Sequence, residues 1–157
     1  MQRIMIRHRR ALHALGVTLL ELMIAVTLVG LLMAVALPSY HAYVERGKIA
    51  IAKRDILEIS FKLERYLYFK NAFPDTLADL PDTRLDPWGA PYRYLSMEGA
   101  KVGEKRKDKS LHPLNSDYDL YSMGPDGQSQ TPLTAKASRD DIIRANNGGF
   151  IGVAADY

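Results

Sequence analysis

The sequence predicts an α+β chain in which one long N-terminal helix packs on a small antiparallel sheet. Three observations predict it. Val17–Leu37 is an apolar run carrying a single charge, Glu21. A helical stripe follows it, with apolar residues at Ile49, Ala52, Ile56, Ile59, Leu63 and Tyr66, in steps of three and four. From residue 72 onward the chain is rich in turn signals and holds short segments that alternate apolar or aromatic with polar residues. The 157 residues leave room for one modest domain rather than two.

The apolar run comes first. Its 21 residues would span roughly 31 Å as a helix, against a hydrocarbon core of about 30 Å. Arg3, Arg7, Arg9 and Arg10 precede it and mark the cytoplasmic side, so the C-terminal bulk should be exported. The run is longer than the apolar core of a secretory signal peptide. Pro38, Ser39 and Tyr40 follow it and offer no small-x-small cleavage pattern, so a retained anchor is expected. The formal charge of +3 belongs to the basic leader, residues 1–16: the rest of the chain has 17 basic against 18 acidic residues, a balance of −1. The basic excess therefore gives no argument for nucleic-acid binding. Cysteine is absent, which excludes disulfide scaffolds, thiolate zinc sites and thiol catalysis, and says nothing of redox compartment.

A carboxylate inside an apolar run costs up to about 3 kcal/mol at mid-membrane and less near an end. Two readings of Glu21 stand. Thr18-x-x-Glu21 fits a capping box, and a carboxylate suits the positive end of a helix. Alternatively, Glu21 meets the amine that a cut at Gly16–Val17 would create on Val17, and between neighbouring chains such a pair would specify register. Gly30 and Pro38 weaken the helix locally, since Gly is a poor helix former and Pro removes an i→i−4 hydrogen bond. Membrane helices also tolerate both residues as ordinary members.

The exported half of the helix, residues 41–71, carries the stripe on one face and Lys48, Arg54, Asp55, Lys62 and Arg65 on the other, and Phe73-Pro74 ends it. Residues 72–157 must supply the partner for the stripe. Pro91–Leu95 and Tyr118–Ser122 read as strands, and Phe150–Val153 as a weaker third. Asp86-Pro87-Trp88-Gly89 and Gly124-Pro125-Asp126-Gly127 read as turns. Between the first two strands lies a polar loop, 96–117, whose Lys101–Lys109 segment holds five basic and two acidic residues. It reads as a solvated loop, with an anionic headgroup or partner as the alternative ligand.

No catalytic constellation is visible, and no enzyme is expected. His8, His13, His41 and His112 include no pair with metal-ligand spacing on a helix. There is no phosphate-binding glycine loop or nucleophile elbow. Asp117 and Asp119 would share a strand face, an arrangement equally suited to solvent-side residues.

Gly16-Val17-Thr18-Leu19-Leu20-Glu21-Leu22-Met23 resembles the class III signal of type IV pilins and pseudopilins. The resemblance implies a type IV pilin-like fold, cleavage by a prepilin peptidase at Gly16–Val17 and methylation of Val17, where phenylalanine or methionine is usual. It also implies that Glu21 acts in assembly, and that Gly30 and Pro38 sit where the helix loosens within filaments. Two further blocks narrow the branch: Leu85–Tyr94, which contains DPWG, and Asp117–Gly127, which reads DYDLYSMGPDG. They resemble the G-type major pseudopilin of type II secretion, and with the N-terminus the likeness runs from Gly16 to about Ile142.

That branch implies a structural subunit, a homopolymer with other pseudopilins in the periplasmic pseudopilus. It implies an inner-membrane anchor with the leader in the cytoplasm, and an inner-membrane assembly platform as partner. It also implies one Ca2+ ion, with Asp126, Asp141 and the Met123 carbonyl at matching positions. Here the Gly-rich stretch of the family is replaced by the longer Gln128–Arg139, with Pro132, Lys136 and Arg139. The bland alternative makes Asp126 a turn residue. For the whole chain the alternatives are a type IV pilin or DNA-uptake subunit, against which the missing C-terminal cysteine pair argues, and a monomeric membrane-tethered binding domain.

Overall fold

The computed structural model describes residues 16–81 and 84–157; the leader before Gly16 lies outside them. Helix α1 runs Leu19–Lys70, against an expected end near Asn71. Thr18 caps it: its hydroxyl accepts the Glu21 backbone N–H at 3.1 Å and its carbonyl accepts the Leu22 N–H. Asn71 closes it in the left-handed conformation, φ 54°, with its N–H donating to the Leu67 carbonyl at 2.8 Å. The chain falls into two units, divided between His41 and Ala42.

In the first unit, every described residue is exposed. Among the described residues α1 is the one helix long and apolar enough to cross a membrane. Its hydroxyls turn inward on the backbone, Thr27 donating to the Met23 carbonyl and Ser39 to the Val35 carbonyl. Such bonds satisfy side-chain donors where lipid offers no partner.

In the second unit, four strands form one antiparallel sheet among the described residues: β1 (Arg93–Ser96), β2 (Tyr118–Ser122), β3 (Ile142–Ala145) and β4 (Phe150–Val153), in the order β1-β2-β3-β4. Tyr121 of β2 faces Arg93 on one side and Ile143 on the other. The expected stripe meets this sheet. Ala52, Ile56, Ile59 and Leu63 are buried with Tyr92, Tyr118, Leu120 and Ile142, and Ile49 and Tyr66 pack at the margin. The opposite face is also covered: Ile143 and Ala145 pack with Leu114, Leu133 and Ala154, and with Tyr121 and Phe150. Those covering residues come largely from the two long loops around β2, so the sheet has α1 on one face and loops on the other.

This double cover explains a missed element. Strand β3 is Ile142–Ala145, IIRA, and all four residues are buried. A strand covered on both faces shows no apolar–polar alternation, and four residues are too few to read as a run. Asp119 is a second surprise. It is 1% exposed, with Oδ2 accepting the Arg106 backbone N–H at 2.7 Å and Oδ1 accepting from Asn115 Nδ2 at 3.0 Å. The loops turn what looked like a solvent face into an interior.

Candidate functional site

The two sequence blocks around β2 meet at one hydroxyl. Asp86 opens the DPWG turn. Its Oδ1 accepts the N–H groups of Trp88 and Ala90 at 3.0 and 2.8 Å, and Gly89 takes the φ of +90° that the turn requires. Its Oδ2 accepts the Ser122 hydroxyl at 2.5 Å. Ser122 Oγ in turn accepts the Gly124 N–H at 3.1 Å, opening the GPDG turn. Trp88 Nε1 donates to Glu45 Oε1 at 3.0 Å, which ties the first turn to α1. Aspartate, serine and glycine are needed here because a buried carboxylate must find donors and a hydroxyl can serve both partners.

Gly124 has a second reason. At its φ of +64° a Cβ would collide with the Asp140 carbonyl oxygen. The GPDG turn is thus pressed against the approach to β3. Asp126 accepts the Gln128 N–H on Oδ1 at 2.7 Å, and its own N–H donates to Asp140 Oδ2 at 3.3 Å. Asp126 shares an open hollow with Asp140, Lys136 and Arg139, two acids against two bases.

Asp141 is arranged differently. It is fully buried, and its Oδ2 accepts from Arg106 Nη2 at 2.7 Å and from Ser129 Oγ at 2.6 Å. Arg106 Nη1 also meets Ser129 Oγ. Burial pushes the Asp141 carboxyl up to about 6, against the pull of Arg106. Its Oδ1 is buried with no hydrogen-bond partner among the described residues. Calcium requires six to eight oxygens and a net negative shell. Among the described residues no group of three or more His, Asp or Glu side chains gathers to hold a metal, and the buried carboxylate expected as a ligand already faces a guanidinium. The side chains, as arranged, do not form a calcium shell. Lys136 and Arg139 are exposed. The inward cation comes instead from the loop before β2.

Sequence reading therefore missed Arg106 and Ser129. One signal was available: among the five basic residues of Lys101–Lys109, Arg106 is the single arginine, and arginine suits planar, buried recognition of carboxylates. Arg144 on β3 was missed likewise. It is 3% exposed, pairs through both terminal nitrogens with Asp117 at 2.9 and 2.7 Å and lies 4.0 Å over the Tyr118 ring.

At the other candidate site, Gly16 and Val17 lie exposed just before α1. The Glu21 backbone completes the Thr18 half of a cap. Its carboxylate has no hydrogen-bond or ion-pair partner among the described residues, so the carboxylate half of the capping box is not made. Gly30 and Pro38 lie within α1, which runs unbroken past both.

No family model matches the chain, and no solved structure matches it. Curated relatives do. The type II secretion system core protein G of Pseudomonas aeruginosa is 30% identical, over 72% of this chain and 84% of the relative. The core protein G of Klebsiella pneumoniae is 28% identical, over 81% of this chain and 91% of the relative. That of Aeromonas hydrophila is 28% identical, over 74% and 86%.

Proposed function

This chain belongs to the type II secretion system core protein G family, the major pseudopilins, and from that premise we propose that it is made as a membrane-anchored precursor and polymerises into a periplasmic pseudopilus. Family membership is the observation that carries this reading, and the exposed apolar half of α1 supports it. A contiguous apolar surface of that size demands lipid or other helices. In this reading a prepilin peptidase cuts between Gly16 and Val17 on the cytoplasmic side and methylates Val17. The anchor sits in the inner membrane with the second unit in the periplasm. An assembly platform in that membrane then draws residues 17–37 into the filament core.

Glu21 pairs with the amine of Val17 on a neighbouring subunit as the anchors pack. Its carboxylate is left without an internal partner beside the capped start of α1, which suits this role. Gly30 and Pro38 supply the places where α1 loosens in the polymer. The chain contributes structure, and the work of assembly comes from other components.

A clean deletion, complemented by the wild-type gene, tests the proposal. Culture supernatant and periplasm are compared by mass spectrometry. A defined set of folded proteins should shift from supernatant to periplasm. Unchanged secretion, with loss of surface fibres or DNA uptake, would move the function to another pilin-like filament.

A further inference from the structure

Arg106 is 3% exposed and permanently charged. A buried guanidinium is tolerated only when paired and hydrogen-bonded. Three other segments supply its surroundings. Arg106 itself comes from the loop after β1. Tyr121 of β2 presents its ring 4.1 Å beneath the guanidinium. Ser129 comes from the loop after β2, and Asp141 immediately precedes β3.

The two long loops hold Arg106 in place through their backbones. The Arg106 N–H is fixed by Asp119, and its carbonyl accepts from Leu114 N–H at 2.9 Å. The next residue, Lys107, donates its N–H to the Thr131 carbonyl and accepts from the Leu133 N–H, both at 3.0 Å. The segment 128–139 is therefore clamped directly beside Arg106. Loop 96–117 and segment 128–139 belong to one device: each needs the other to place one positive charge against Asp141.

We propose that Arg106 is the resident cation of the β2–β3 loop, its guanidinium holding Asp141 and Ser129 as a bound calcium ion would, so that the folded subunit needs no divalent metal. Charge supports this. One guanidinium balances one carboxylate, and it repels any second cation approaching the remaining Asp141 oxygen. Geometry supports it as well, because the planar fork reaches the carboxylate and the hydroxyl together. An arginine cannot be chelated or diluted away, so loop order becomes independent of the calcium level outside the cell membrane.

The test uses the full chain in detergent, with thermal unfolding followed through Trp88, the single tryptophan. Melting in EGTA and in millimolar calcium should agree within about 2 °C. A bound calcium at a hundred times its dissociation constant would raise Tm by about 10 °C, and a rise of that order overturns the proposal. This arm uses the unaltered protein, so it decides the matter even where a variant fails to fold. The second arm compares Arg106→Gln, Asp141→Asn and the double variant. Each single change should lower Tm by roughly 10 °C or more, and the double should fall clearly less than their sum. Additive losses would reject the pair as a unit. Neither arm reads secretion, so failure here leaves the assignment of function standing, and the reverse holds too.

Discussion

The two units of the chain treat charge and apolar surface in opposite ways. Up to His41 the apolar residues are exposed, Leu31 at 65% and Leu32 at 69%, and the carboxylate of Glu21 has no partner among the described residues. From Ala42 onward the buried charges find partners within the chain. Asp55 accepts from Arg84 Nη1 at 3.2 Å and from the Tyr92 hydroxyl at 3.1 Å. Asp141 has Arg106, and Arg144 has Asp117. The second unit pairs its buried charged side chains by folding, leaving single atoms such as Arg106 Nε and Asp141 Oδ1 without a hydrogen-bond partner among the described residues. The first leaves its apolar surface and its carboxylate open, and only lipid or other subunits can close them.

Five substitutions test that contrast. The largest effect is expected from Glu21→Leu. On the proposed pairing, leaving the Val17 amine without its counter-charge costs about 3–5 kcal/mol, so cross-linked ladders of subunits should fall by roughly a hundredfold or more. Membrane insertion should be unaffected. Normal filaments from this variant would reject the pairing of Glu21 with a neighbouring Val17.

Next, Ile56→Ala and Leu31→Ala compare the two units directly. Ile56 is fully buried, and its truncation should cost about 3 kcal/mol, read as a fall in the urea midpoint. Leu31→Ala should leave thermal melting of the detergent-solubilised chain within about 3 °C. Equal losses would show that the first unit also packs internally.

A smaller effect is expected at the turn after β2. Gly124→Ala places a methyl against the Asp140 carbonyl at a positive φ and should cost about 2 kcal/mol. A variant as stable as wild type would mean that the GPDG turn can move away from Asp140.

The smallest concerns alkaline pH. Burial, chiefly, pushes the Tyr94 hydroxyl up to about 12 from its ordinary 10.0. The unfolded chain ionises first, so stability is complete below pH 10 and declines as pH rises from 10 to 12. The loss due to Tyr94 should be about 1 kcal/mol once solvent screening is allowed for. Tyr94→Phe should flatten the profile while lowering it throughout, because the Pro74 carbonyl loses its donor at 2.9 Å. An unchanged slope would remove Tyr94 from the alkaline transition.

The elements legible in the chain were those whose signal is local. The membrane-length run, the stripe from Ile49 to Tyr66, the β2 strand and the two glycine turns each declare themselves within a few residues. Their period or their need for an unusual φ comes from backbone geometry alone. The resemblance at Gly16–Met23, DPWG and DYDLYSMGPDG was equally local.

What escaped depends on partners distant in sequence. Arg106 and Asp141 are 35 residues apart, and Asp86 and Ser122 are 36. Nothing near Arg106 distinguishes a buried guanidinium from a solvated one except its being arginine. Nothing near Asp119 reports that two loops will close over it. By itself the sequence determined an anchor, a helix with one face to bury, and turns that only certain residues can make. Which charges would be buried, and against which partners, was decided by the tertiary structure. The cost of burying a charge is set by whatever surrounds it in space, and a local window of sequence does not contain those surroundings.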